Sequence, residues 1–168
     1  KGVATCALGV MAAGCTGIPV RPPAKDCPPA AIRAMRERGI EIPGPSAELH
    51  LHASVPGFNG SNRDEVKFVA GQKVISEVID GPPRTAFPKG SLLFGKVVAG
   101  GDGLFFIRYE EAQLADTPQR VPICAQAIDS FIVGAPRALR MGPKSTGDTF
   151  THSNWGFAEW VLYFPGDL

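Results

Sequence analysis

The sequence predicts a mainly β domain, a sandwich or small barrel of about six to seven antiparallel strands with one short N-terminal α-helix. Three observations lead to this prediction. Apolar and polar residues alternate in successive segments, which is the period of a strand with one buried face. These segments recur about every ten to fifteen residues between turn-forming clusters. In addition, 20 glycines and 16 prolines in 168 residues favour short elements over a long helical bundle.

Length and charge limit the organisation of the chain. Its 168 residues, 44% of them hydrophobic, allow one ordinary domain with a tail. Seventeen Lys and Arg against sixteen Asp and Glu give a net charge of +1. We therefore expect no broad basic surface and no nucleic-acid partner.

Residues 1–14 are predicted to be a signal peptide. Lys1 precedes an apolar run, GVATCALGVMAAG, that is shorter than the roughly 20 residues needed to cross a bilayer but matches a signal-peptide core. The small residues 12–14 before Cys15 resemble a bacterial lipobox, in which the cysteine is acylated. The alternatives are the end of a transmembrane helix that begins upstream of Lys1, or a buried helix.

The next segment, residues 15–26, is predicted to be a lipidated tether, because Pro19, Pro22 and Pro23 favour an extended chain. A single β-rich domain is expected over residues 27–168.

Removal of the leader and acylation of Cys15 leave two cysteines, Cys27 and Cys124. In an oxidising compartment two remaining cysteines are expected to pair, with two buried free thiols as the alternative.

A short helix is predicted over residues 28–38. Asp26 is expected to cap it, and the Pro-Pro pair at its start lacks only amide hydrogens that the first turn leaves unbonded. Gly39 is expected to end the helix in the left-handed conformation and to bring Ile40 onto Met35.

Strands are predicted after this helix. In AELHLHASV, Leu49 and Leu51 alternate with His50 and His52. Further candidates are residues 65–70, 73–80, 91–99, 104–111, 120–129 and 158–164. The clearest hairpin is VVAGGDGLFFI, with positive φ expected at Gly100, Gly101 and Gly103. Residues 132–153 show little periodicity.

Histidines and carboxylates are the first candidates for chemistry. His50 and His52 lie two apart on one strand face and, with His152, form a candidate metal site, against the alternative of a solvated polar face. Glu110 and Glu111 are expected to point to opposite faces, which argues against a paired acid and base.

Nucleophilic motifs are missing from the sequence. No G-x-S-x-G occurs, and Ser153 is merely adjacent to His152. We therefore predict a non-catalytic protein without a cofactor. Trp155 and Phe157 form a candidate binding surface near the C-terminus, because Trp155 lies in a predicted loop that buries it poorly.

Several motifs together resemble a known family. They are CPPAAIRAM at 27–35, PKGSLLFG at 88–95, FIRYEEAQ at 106–113 and VPIC at 121–124. The chain in this respect is similar to small myxobacterial envelope proteins often labelled serine/threonine protein kinases although they lack a kinase domain. The resemblance implies a lipid-anchored, β-rich extracytoplasmic module with a Cys27–Cys124 disulfide and no established activity.

The segment PKGSLLFG is also similar to the barrel domain of periplasmic scaffolds in type IV secretion systems. This resemblance implies that residues 88–90 turn the chain into a barrel strand and that Gly95 allows a close bend.

From these observations we expect a non-catalytic, lipid-anchored module of the bacterial cell envelope, extracytoplasmic and held at a membrane. It would bind an envelope protein or polysaccharide, or have a structural role. The alternatives are the sensor segment of a membrane serine/threonine-kinase-type signalling protein and an envelope enzyme or metal-binding protein.

Overall fold

The computed structural model describes residues 25–40, 44–52, 65–80, 87–129, 138–161 and 163–164. The predicted signal peptide, Cys15 and most of the predicted tether lie outside these residues. The described elements are β1 (Lys25–Asp26), α1 (Pro29–Glu37), β2 (Gly44–His52), β3 (Glu65–Val69), β4 (Lys73–Asp80), β5 (Leu92–Ala99), β6 (Leu104–Gln113), β7 (Arg120–Ile128), β8 (Leu139–Arg140), β9 (Thr149–Ser153), β10 (Trp155–Trp160) and β11 (Tyr163–Phe164).

Six antiparallel strands close into a barrel. Their order is β5-β4-β2-β10-β7-β6, and β6 pairs back onto β5. Three smaller pairings are added to it: β8 on β6, the ribbon β3–β9, and β1 with β11. The prediction of a mainly β fold with one short N-terminal helix is confirmed, and of its two architectures the molecule is a barrel.

The barrel interior is filled with side chains. Alternate residues of β2 and β4 are buried, among them Leu49 and Leu51 of β2 and Val74 and Val78 of β4. Tyr109 lies fully buried in β6, where its hydroxyl is 2.6 Å from Ser76 Oγ. A barrel of this size has room for little besides its own side chains.

Aromatic side chains continue this core beyond the strands. Phe105 contacts Phe68 and Phe150, with ring centroids 5.6 and 5.1 Å apart, so the β3–β9 ribbon packs near the tip of the β5–β6 hairpin. Phe87 stacks on Trp160 of β10, with centroids 4.7 Å apart.

The barrel bends sharply at Gly95. The β5–β6 register shifts between Phe94 and Gly95, and a Cβ on Gly95 would overlap the backbone oxygen of Arg108 and lie 2.7 Å from Tyr109 Cδ1. Only glycine allows this approach of the two strands. The close bend expected at this residue is therefore present.

The helix begins differently from the prediction. It spans Pro29–Glu37, inside the expected range, but Pro28 is its N-cap residue and no side chain caps it. Asp26 is not the cap, because it belongs to β1 and pairs with Tyr163.

The C-terminal end of the helix is as predicted. Gly39 has a φ of 73° and donates to Arg36 O at 2.9 Å, while Ile40 donates to Met35 O at 3.1 Å. These two bonds form a Schellman motif. Met35 and Ile40 both belong to the core.

A disulfide joins Cys27 and Cys124, with Cα atoms 5.9 Å apart. The expected pairing is confirmed, and the alternative of two free thiols is wrong. The bond fixes the start of α1 to β7, where the Cys124 amide donates to Met35 Sδ at 3.4 Å. Helix α1 thereby covers the outer face of β7.

One predicted boundary is wrong. The segment predicted as one strand over 158–164 is β10 followed by the separate β11. The weakly periodic 132–153, where no strand was predicted, contains β8 and β9. The register explains this, because β9 pairs with β3 outside the barrel and β10 starts after Asn154, whose carbonyl accepts the Leu51 amide at 2.6 Å.

The β5–β6 turn also differs from the prediction. Positive φ occurs at Asp102 (54°) and Gly103 (75°) rather than at Gly100 and Gly101. Leu104 donates to Gly101 O at 2.9 Å, which closes a two-residue turn with both central residues left-handed. Aspartate tolerates that conformation better than most residues.

We expect Cys27→Ser together with Cys124→Ser to lower the free energy of unfolding by about 4–5 kcal/mol, because the bond constrains a long loop of the unfolded chain. Urea denaturation of the oxidised full-length chain and of the double variant measures the difference. Reduced wild-type protein is the control, and it should unfold with the variant. Equal stability of oxidised and reduced wild type would contradict the prediction.

Candidate outer-wall cleft

A cleft of about 420 Å³ lies on the outer wall of the barrel, over β4, β5, β6 and the start of β7. Its charged and aromatic lining includes Lys73, Phe94, Lys96, Arg108, Glu111 and Arg120. The alternation of the strands directs Lys73, Phe94, Lys96 and Arg108 outward, because each lies next to a residue of the filled interior. We call this site the outer-wall cleft.

Three cations form a row across the cleft. Lys73 of β4 lies directly opposite Lys96 of β5, and Lys96 lies directly opposite Arg108 of β6. With about 4.8 Å between neighbouring strands, the row spans about 10 Å. Like charges directly opposite one another destabilise a sheet. The row therefore lowers the free energy of unfolding of the barrel.

Arg108 is the most buried member of the row, with 8% of its surface exposed. Burial lowers the pKa of its guanidinium, and the nearby carboxylate of Glu110 acts in the opposite direction. An arginine side chain stays protonated in proteins, so Arg108 contributes a positive charge with little solvent around it. Its guanidinium carbon lies 5.8 Å from the centre of the Phe106 ring.

The same line of outward residues continues onto β7 and β10 with an amide and a carboxylate. Gln126 of β7 lies opposite Arg108, and Glu159 of β10 lies opposite Gln126. Gln126 Nε2 donates to Glu159 Oε2 at 3.2 Å, and both residues are buried. The outer wall thus runs from exposed cations to a buried carboxylate.

Phe94 forms an aromatic wall of the cleft. The Arg120 guanidinium carbon lies 3.8 Å from the Phe94 ring centre, a cation–π contact. Arg120 Nη1 also donates to Glu111 Oε2 at 3.0 Å. Both side chains are about half exposed, so the ion pair adds little stability. Its effect is to hold Arg120 over the ring.

The two glutamates of β6 both face the cleft. We predicted opposite faces for Glu110 and Glu111, and this is wrong: both are exposed and both line the site. The reason is a bulge in the β6–β7 register between Tyr109 and Glu111, which interrupts the alternation of the strand.

The predicted histidine site is only partly described. His152 of β9 has Nε2 2.6 Å from Asp129 Oδ1 and Nδ1 2.7 Å from the Ser153 carbonyl. Among the described residues, no group of three His, Cys, Asp or Glu side chains is placed to hold a metal. The side chain of His52 is outside that set, so a site formed with His50 stays a prediction.

Ser153 and His152 are neighbours on β9, and the atom of Ser153 nearest His152 Nδ1 is the carbonyl oxygen rather than the hydroxyl. Ser153 Oγ is 3.5 Å from that nitrogen and donates to Trp155 O at 3.2 Å.

Trp155 and Phe157 lie on β10, so the expectation that Trp155 lies in a loop is wrong. Both are half-buried, and their rings meet edge to face with centroids 4.6 Å apart. Trp155 Nε1 donates to the carboxylate of Glu48 on β2. Their role as a binding surface stays a prediction.

Comparisons with protein-family models, curated proteins and solved structures found no match. Within the part of the chain that the structure describes, no helix has the length and apolar character required to span a membrane.

Replacing the central cation of the row should stabilise the ligand-free protein. We expect Lys96→Gln to raise the free energy of unfolding by about 0.5 kcal/mol, because it removes the repulsion from both neighbouring cations. Urea denaturation at low salt measures the change, and at 1 M salt it should shrink, since the Debye length falls to about 3 Å.

The matched control is Lys67→Gln, which removes an exposed lysine from β3, outside the cleft. It should leave the stability unchanged. Destabilisation by Lys96→Gln at low salt would show that the row is not repulsive.

Proposed function

We propose that this protein is a non-catalytic binding module of the bacterial cell envelope, which binds a small ligand or one unit of a larger one in the outer-wall cleft. A lipid on Cys15 would hold it at a membrane, outside the cytosol. The observation that carries the proposal is an open, charged cleft on the wall of a barrel whose interior is already filled.

The disulfide supports a location outside the cytosol. Cys27 is 6% exposed and Cys124 fully buried, so the bond is part of the core rather than a surface redox pair. Such bonds persist in oxidising compartments and are rare in the cytosol. The apolar leader, the Cys15 motif and the resemblance to myxobacterial envelope proteins agree with this location.

Binding rather than catalysis is supported by the state of the reactive groups. Cys124 is bonded and cannot act as a thiolate. The Ser153 hydroxyl is 3.5 Å from His152 Nδ1, farther than the Ser153 carbonyl at 2.7 Å. In the cleft, Glu111 is held by Arg120, and Glu110 interacts with Arg108. These contacts keep the charged side chains of the cleft in fixed positions.

A thermal-shift panel tests the cleft as the ligand site. Compounds that bind the native state raise the Tm of the full-length chain, because they add a free energy of unfolding that grows with the logarithm of 1 + [L]/Kd. We expect at least one member of a panel of neutral and acidic saccharides and short peptides to raise the Tm of the wild type by about 3 °C or more at saturation. Phe94→Ala should abolish that shift.

Phe157→Ala is the matched control, because it truncates another half-buried aromatic, away from the cleft on β10. Its shift should equal that of the wild type. If no compound shifts the wild type, or if Phe94→Ala responds like the wild type, the cleft is not the binding site.

The anchor has its own test. Mass spectrometry of the protein from its native membranes should find a mature N-terminus at Cys15 that carries the mass of a lipid. Cys15→Ser is expected to remain uncleaved and without lipid. An unmodified Cys15 joined to an intact leader in the wild type would contradict the anchor.

A further inference from the structure

We infer that the outer-wall cleft binds an acidic saccharide, that is, a hydroxylated ring that carries a carboxylate or phosphate group. This inference rests on the proposed function, because it names the ligand class of the same site. It depends on three features of the cleft: its unbalanced positive charge, its apolar wall and its two carboxylates.

The positive charge comes first. Four cations and two carboxylates line the cleft. Glu111 forms an ion pair with Arg120, and the charge of Glu110 acts on Arg108. Both carboxylates of the cleft therefore offset the charge of an arginine rather than of a lysine. Lys73 and Lys96 form no ion pair with another residue of the described segments. These exposed lysines, one strand apart, are therefore available to a bound anion.

The row also gives an energetic reason to bind an anion. The protein keeps Lys96 between two like charges, although a neutral residue would relieve the sheet. A carboxylate or phosphate placed over the row would convert the repulsion into charge-assisted hydrogen bonds, which are stronger than neutral ones. Arg108 is buried, and its Nε and Nη2 atoms have almost no exposed surface, so it supports the row through its charge rather than through a fork of donors.

The apolar wall indicates a ligand that has an apolar surface as well as an anionic group. Phe94 and Ile75 both line the cleft and both are half-buried. An inorganic ion would leave this surface unused, whereas the C–H face of a sugar ring can pack on it. The volume of about 420 Å³ lies within the range of small-molecule sites.

The carboxylates limit how many anionic groups the cleft can hold. Glu110 and Glu111 leave two of its four positive charges unbalanced, and the net charge of +1 offers no long-range attraction to a long polyanion. The same carboxylates accept hydrogen bonds from hydroxyl groups. Cations, hydroxyl acceptors and an apolar wall together match a sugar acid.

Isothermal titration calorimetry of the oxidised full-length chain tests this inference. The probes are trigalacturonate, the neutral trisaccharide of galactose, and inorganic phosphate. We expect trigalacturonate to bind, and to bind more weakly as NaCl is raised. The affinity of Lys73→Gln/Lys96→Gln should be at least about tenfold lower, since hydrogen bonds to charged groups contribute more than neutral ones.

The matched control is Lys67→Gln/Lys89→Gln, which removes two exposed lysines outside the cleft and leaves the same net charge as the cleft variant. It should bind trigalacturonate within about twofold of the wild type, because screened charges at a distance contribute little. Both variants change only exposed residues, and unfolding curves establish that each is folded before titration.

Four outcomes would overturn the inference. They are no binding of trigalacturonate, equal binding of the neutral trisaccharide, equal binding of inorganic phosphate, and trigalacturonate binding that the cleft variant does not weaken. The second outcome, with loss of binding in Phe94→Ala, would leave the cleft as the ligand site and reject only the acidic class. Phe94→Ala, which the thermal-shift panel also uses, thus distinguishes an error in the ligand class from an error in the location of the site.

Discussion

The close contact of β5 and β6 at Gly95 determines the rest of this structure. A side chain at this position would overlap the backbone of Arg108, so the β5–β6 pairing that completes the ring can take its observed register here only with glycine. Closure pairs the edges of the sheet and leaves no exposed strand edge in the ring. It also leaves an interior that Tyr109 and its neighbours fill. The outer wall is consequently where we propose that a ligand binds.

Because of the disulfide, the outer wall has a part covered by the helix and a part that is open. Cys27 and Cys124 hold α1 over β7, so that part of the wall is covered by the helix. The neighbouring strands β4, β5 and β6 carry the cleft. Their register places Lys73, Lys96 and Arg108 side by side. One face of the barrel is thus joined to the helix by the disulfide, and another is the charged face at which we propose that a ligand binds.

Local structure was largely predictable from the sequence, whereas most contacts between distant residues, apart from the Cys27–Cys124 disulfide, were not. The Gly39 end of the helix and the bounds of β4 depend on neighbouring residues, and both were predicted. Asp26 failed as a cap because a strand far along the chain pairs with it. The outer-wall cleft was missed because it depends on cross-strand register and on the bulge at Glu110, neither of which has a local signature in this chain.

Chemical-shift mapping by NMR tests the central claim most directly, since it shows where on the molecule a ligand binds. In a titration of the full-length protein with trigalacturonate, the account predicts the largest amide shifts at residues 94–96 and 108–111, with Ser76 in the interior unaffected. The largest shifts at Trp155 and Phe157, or within the barrel interior, would contradict it.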